Sequence, residues 1–232
     1  MTADKIAQLE NKLGVTFKNR SLLEQAFTHR SYLNEHKEHL MPHNERLEFL
    51  GDAVLELVAT EALFTRMPER QEGELTSIRA ALVNTASLSE TAETLGINDF
   101  LLLSRGEAKD TGRARQYILA NAYEAIVGAL YLDSGYNATQ AFILKTIFPK
   151  VEGIVTNSLW QDAKSLFQEK AQEYTGVTPT YKTLKEVGPD HAKHFTVGIY
   201  IGGELVVRGE GFSKQEAEAE AARKALDIKG WG

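Results

Sequence analysis

The hydrophobic period of this chain changes once along its length, and that change restricts the possible folds more than any other feature. Up to about Trp160 apolar residues recur at three and four, as in Leu22, Leu23, Ala26 and Phe27 and again in Leu88, Ala92 and Leu95. This is the spacing of helices that each bury one stripe, and no segment in that stretch alternates as a strand should. From Tyr181 the period is two: Phe195, Val197, Ile199 and Ile201 alternate with Thr196, Gly198 and Tyr200, and Gly202-Gly203 turns the chain into Leu205, Val206 and Val207. That pattern predicts a hairpin, flanked by helices across 165–175 and 214–228. The expected architecture is an all-α domain over residues 1–156 followed by a small α+β domain, α-β-β-β-α, over 162–230. The junction, 150–161, has neither a clear period nor a Pro/Gly/Ser linker signature.

Composition removes several classes of protein. With no cysteine in 232 residues there is no disulfide framework, zinc finger or thiolate nucleophile. Hydrophobic and charged fractions of 43% and 25% are those of an ordinary soluble globular chain. Asp4, Lys5 and Glu10 interrupt the start, and no uncharged apolar run is long enough to span a bilayer. The expectation is a cytoplasmic protein without a membrane partner. The net charge of −6 argues against a wholly basic surface. Sixteen basic against twenty-one acidic residues precede Asp162, and ten against eleven run from it onward, so the larger half holds most of the excess acid.

Two segments of that half give the acid a chemical meaning. In Asn44-Glu45-Arg46-Leu47-Glu48-Phe49-Leu50-Gly51-Asp52, Asn44 reads as an N-cap and Glu45 as an acid favoured by the helix dipole. Glu48 and Asp52, four apart, share one side of this helix, beside a buried stripe of Leu47, Leu50, Val54 and Val58. Like charges at that spacing repel mildly, and neither Arg46 nor Arg66 is placed to join both, so a divalent cation is the economical partner. Gly51, a poor helix former, implies that a backbone or a ligand approaches closely there.

The second segment, Ile118 to Leu132, holds one formal charge, Glu124, in fifteen residues that are apolar nearly all round. Such a helix is expected to be buried. A carboxylate there must be protonated, paired or metal-bound. Asn121, one turn earlier, can add an amide oxygen. Ala122, Ala125, Gly128 and Ala129 are small enough to let the two helices approach. Together these define an oxygen-only metal site of Glu48, Asp52, Asn121 and Glu124, suited to Mg²⁺ with Mn²⁺ as substitute and not to zinc. His36, His39 and His43 offer a rival metal site, but Pro42 interrupts the run and a polar loop is the better reading.

The stretch N-E-R-L-E-F-L-G-D resembles the signature of bacterial ribonuclease III. The likeness extends through Thr28-His29-Arg30-Ser31-Tyr32, Glu72-Gly73-Glu74-Leu75, Arg79 to Val83 and the helix from Ile118 to Asp133. The C-terminal residues Lys164 to Glu169, Gly188-Pro189-Asp190-His191 and Gly209 to Ala222 are similar to a double-stranded-RNA-binding domain. The resemblance implies an all-helical endonuclease domain that forms a homodimer, each subunit cutting one strand of duplex RNA to leave 5′-phosphate and 3′-hydroxyl ends. Structured RNA such as rRNA precursors would be the substrate, with a divalent metal and no small-molecule organic cofactor. By position it makes Asp52 and Glu124 catalytic, Glu48, Asp52 and Glu124 metal ligands, and Glu45 and Glu72 accessory acids. Where the family usually has Asp, this chain has Asn121. The site thus loses a negative charge while keeping an oxygen, which leaves two readings open: retained or weakened cleavage, or an inactive RNA-binding protein.

In the C-terminal domain, Gln168 and Gln172 match minor-groove contacts by resemblance, and His191 matches a second. Ser213-Lys214-Gln215-Glu216 reads as a capping box whose free N–H groups, with Lys214, can hold a phosphate. The acids Glu216, Glu218 and Glu220 that follow predict modest, salt-sensitive affinity.

Overall fold

A computed structural model describes residues 1–158, 160, 162–189 and 193–231. These fall into two compact units, Met1–Trp160 and Gln161–Gly232.

The first unit is helical. Its helices are α1 (Ala3–Leu13), α2 (Arg20–Ala26), α3 (Arg30–Glu35), α4 (Glu45–Arg66), α5 (Glu72–Leu82), α6 (Thr85–Thr94), α7 (Arg113–Thr146) and α8 (Lys150–Thr156). The one extended pairing in this unit among the described residues is an isolated parallel bridge between Thr28 and Leu102. Helices α4 and α7 form the centre of the core, and Leu55, Val58, Tyr123 and Ile126 are fully buried between their neighbours. Glycine sets their separation. A Cβ on Gly51 would lie 1.8 Å from the main-chain oxygen of Glu124, and one on Gly128 would lie 2.2 Å from that of Leu47. The backbones touch there because neither position carries a side chain. Helix α7 breaks its regular path at Gly135, whose φ of 77° belongs to the left-handed region.

Two sequence expectations are corrected here. Asn44 stands at the N-cap of α4 but its side chain makes no capping bond. It is buried, donates to the Ala26 carbonyl, and its backbone N–H donates to the Thr28 carbonyl. Its amide is thus spent on tying α4 to the connection between α2 and α3. Leu132 and Tyr131, at the end of the apolar run of α7, are exposed, and Leu50 is only half-buried.

The second unit contains α9 (Ala163–Thr175), β1 (Thr180–Val187), β2 (His194–Ile201), β3 (Glu204–Gly211) and α10 (Lys214–Lys229). The strands form an antiparallel sheet in the order β1-β2-β3. Val197 and Ile199 of β2 are fully buried, and Ile199 shares a core with Phe167 of α9 and Ala221, Ala222 and Ala225 of α10. Period two therefore puts both helices on one face of the sheet and leaves the other open.

Candidate metal and nucleic-acid sites

Within Ile118–Leu130, the residues that stay partly accessible are Asn121 and Glu124, and every other position is buried. The two lie about one turn apart, on the accessible side of α7. The structure brings Glu48, Asp52 and Glu124 into one electrostatic group: burial first, then the charges of Asp52 and Glu48, push the Glu124 carboxyl up to about 8. Burial, followed by Glu45 and Asp52, likewise raises Glu48. Among the described residues, none of the three carboxylates has an ion-pair or hydrogen-bond partner, nor does the Asn121 amide. Concentrated negative charge with no protein counter-ion suits a hard divalent cation.

The group is open. Among the described residues no three His, Asp or Glu side chains stand close enough to enclose an ion. An ion drawing on this group would have to gather the side chains inward. The loop histidines form no such cluster either: Tyr32 stacks on His36 with ring centroids 4.0 Å apart and meets His39 edge-on at 5.3 Å.

Glu45 behaves differently from Glu48 and Asp52. It faces the Arg30 guanidinium at 3.4 Å and the His43 ring at 3.8 Å, so unlike them it has a cation beside it. Glu72, exposed at the start of α5, is not among the charges that act on Glu48 or Glu124. It lines an apolar cavity with Leu63, Phe64, Met67 and Leu75.

Three features escaped the sequence reading. Asp133 accepts the backbone N–H groups of Lys18 and Asn19 at 3.1 and 2.7 Å and so pins α7 to the start of α2. Although burial pushes its carboxyl up, these bonds hold it below the usual range. His29 donates its N–H to the Leu102 carbonyl, and its ring nitrogen Nδ1 meets the Ser31 hydroxyl at 2.8 Å. Third, α4 has an exposed apolar stripe opposite its buried one: Phe49, Leu57 and Phe64 are 81%, 57% and 73% exposed. At about 100° per residue these fall within a quarter-turn of each other. The helical count that placed Leu47, Val54 and Val58 inside would have exposed this stripe.

In the second unit, Gln168 is exposed on α9. Gln172 is exposed but committed to the helix end, donating to the Gly176 carbonyl at 3.4 Å and accepting from Thr178 at 3.3 Å. His191 lies outside the described residues. Ser213 caps α10, its hydroxyl accepting from Glu216 N–H at 3.1 Å, and Lys214 stands exposed with its Nζ 5.8 Å from the Phe195 ring centre. The acids after it are not free charges. Glu216 accepts from Phe212 N–H, Glu218 pairs with Lys164 at 2.5 Å, and Glu220 pairs with Lys224 at 3.0 Å.

A helical unit followed in sequence by an α-β-β-β-α unit is the order found in nucleases that carry their own duplex-RNA-binding module, and the likeness to known families points to that class. Residues 19–151 match the family described as Ribonuclease-III-like, and residues 163–228 match the double-stranded RNA binding motif. Ribonuclease 3 of Geobacillus kaustophilus is 46% identical over 224 residues, spanning 96% of this chain and 90% of that protein. Ribonuclease 3 of Anoxybacillus flavithermus is 47% identical over 223 residues, 96% of this chain and 93% of that protein. The solved nuclease domain of ribonuclease III from Campylobacter jejuni, described as flexible in a region involved in dimer formation, is 41% identical. It aligns with a TM-score of 0.56 over 62% of this chain and 96% of its own. The chain belongs to the ribonuclease III family. Among the described residues no helix is long and apolar enough to cross a membrane.

Proposed function

We propose that this chain is a homodimeric endonuclease of double-stranded RNA, dependent on Mg²⁺ with Mn²⁺ as substitute, acting on structured RNA such as rRNA precursors. The observation that carries the reading is the grouping of Glu48, Asp52 and Glu124 without a counter-ion among the described residues, with burial and the neighbouring charges pushing Glu124 up to about 8. These carboxylates and the Asn121 oxygen would hold the cation. When bound, it would polarise the scissile phosphate, supply a nucleophile from water and stabilise the leaving 3′ oxygen. Glu124 gives up its proton as the cation arrives, because ligation requires the carboxylate. Asp52 would be the second carboxylate at the cation, making these two the catalytic acids. Glu45, held by Arg30 and His43, shapes the rim, and Glu72 acts from α5.

The dimer reading rests on the α4 stripe. Three large apolar side chains exposed on one helix face lose water contact only if something covers them. A second copy does so with matching chemistry, placing two acidic groups on either side of one interface. In the second unit, Lys214 and the N-terminus of α10 take a phosphate, while Gln168, Gln172 and His191 reach the minor groove.

Asn121 favours a second reading, an RNA-binding protein with little or no cleavage, because a neutral amide lowers the charge available to the cation. Cleavage of a long RNA duplex in Mg²⁺ and in Mn²⁺, by this chain and by Asn121→Asp, decides between them. Cleavage by the parent chain, raised or unchanged in the variant, supports the enzyme. Binding without cleavage in either ion refutes it.

A further inference from the structure

The open face of the β1–β2–β3 sheet carries a surface that duplex-RNA cleavage does not use. Val197 and Ile199 point to the helices, so Thr196, Gly198 and Tyr200 point away. Their cross-strand partners share that face: Lys185 and Glu210 beside Thr196, Lys182 and Arg208 beside Gly198, and Leu205 beside Tyr200. The missing side chain at Gly198 is filled from both edges. A Cβ there would meet Leu205 at 2.9 Å, Leu184 at 3.0 Å and the Tyr200 ring at 3.1 Å, so these three converge into one apolar ridge spanning the sheet. Leu184, Val187 and Leu205 nevertheless remain 42%, 50% and 41% exposed.

Beside the ridge lies a depression of about 740 Å³ lined by Lys185, His194, Thr196, Arg208 and Glu210. Lys185 and Arg208 have no ion-pair or hydrogen-bond partner among the described residues. The acids of α10 on the far side of the sheet, by contrast, are paired locally. With Lys182 over Tyr200 at 4.9 Å, the face is cationic although basic and acidic residues nearly balance from Asp162 onward. Among the described residues Glu210 is the one carboxylate lining the depression.

We propose that this sheet face docks an extended acidic and apolar peptide segment of a protein partner, with its carboxylates on Lys185 and Arg208 and its aliphatic side chains on the Leu184–Leu205 ridge. An RNA duplex satisfies half of that surface. It would supply phosphates to the cations but nothing that gains from covering Leu184, Val187 and Leu205. An extended peptide that carries acidic and apolar residues in turn at every second position supplies both, because residues two apart project to the same side with the spacing of the strands beneath.

The test uses the full chain in EDTA, a fluorescent synthetic peptide alternating Glu with Leu at every second position with Ser between them, an all-Glu peptide of equal length, and a blunt RNA duplex. The alternating peptide is expected to bind with a dissociation constant on the order of micromolar, and the all-Glu peptide markedly more weakly. Lys185→Gln with Arg208→Gln should weaken it roughly tenfold, the effect of two exposed ion pairs, and Leu184→Ser should weaken it independently. All replaced side chains are exposed, and unchanged RNA affinity in each variant verifies the fold while keeping this outcome separate from the nuclease reading. No binding of the alternating peptide, or binding indifferent to these substitutions, overturns the proposal. An equal loss of RNA affinity in the double variant also overturns it, by making the face an RNA surface.

Discussion

Gly51 of α4 and Glu124 of α7 meet backbone to backbone, and a Cβ on the first would stand 1.8 Å from the carbonyl oxygen of the second. No flexible side chain can yield at that point. Gly51→Ala must push the helices apart or bend one of them, which moves Asp52, the next residue, away from Glu124. The expected cost is about 3 kcal/mol or more, at the upper end for overpacking, read as a lower urea midpoint together with lost cleavage. Gly153 of α8 is the control. Nothing lies within 4 Å of a Cβ there, so Gly153→Ala should stabilise by about 0.5–1 kcal/mol through helix propensity. Equal effects at both positions would show that the α4–α7 contact is looser than described.

Glu124 should make the metal-free protein less stable as pH rises. Burial and the charges of Asp52 and Glu48 lift its carboxyl from 4.5 to about 8. Between those values the folded chain holds a proton that the unfolded chain has released, so stability falls with rising pH across that window. At fixed protein concentration in EDTA, unfolding midpoints should decline more steeply from pH 5 to 8 in the parent chain than in Glu124→Gln, since the amide has no proton to lose. Saturating Mg²⁺ should flatten the parent's slope, because the cation replaces the proton. A parent and variant with parallel profiles would mean that Glu124 titrates like an exposed acid.

Much of this was legible in the residues. The change of period separated the helical unit from the sheet, and Gly51 announced a close approach, because each is a local pattern with one physical cause. Asn44 misled for the opposite reason. Its residue type suits a cap, but the acceptors it found, the carbonyls of Ala26 and Thr28, are brought to it by the fold. The same limit applies to Glu218: the sequence shows three acids after Lys214, but not that Lys164 comes from α9 to neutralise one of them. The two halves of the acidic group could be read helix by helix, whereas the positions their side chains take relative to one another depend on a contact between helices far apart in the sequence.

That pairing sharpens the expectation for RNA binding. With Glu216, Glu218 and Glu220 engaged by Phe212 N–H, Lys164 and Lys224, Lys214 is the charge that α10 presents at its N-terminus. Lys214→Ala should reduce the slope of log affinity against log salt by about one, as expected for the loss of one phosphate contact. Fluorescence anisotropy of a short duplex across a salt series measures this. A slope unchanged within error would remove Lys214 from the phosphate-binding set.

The α4 stripe yields the prediction on assembly. Phe49 is 81% exposed and contributes little to the core of its own subunit, so Phe49→Ser should leave the fold of the isolated subunit intact. If a second copy covers it, two-fold symmetry doubles the loss. Burying one Phe is worth about 1.5–3 kcal/mol, so two such losses cost about 3 kcal/mol or more and raise the dimer dissociation constant at least roughly a hundredfold. Sedimentation velocity over a dilution series should show the variant dissociating where the parent stays paired. If each subunit supplies one acidic group to one strand, as proposed, cleavage should fall with dilution in the variant more steeply than in the parent. A variant that remains dimeric at the parent's concentrations would place the interface elsewhere and leave the exposed face of α4 without its assigned cover.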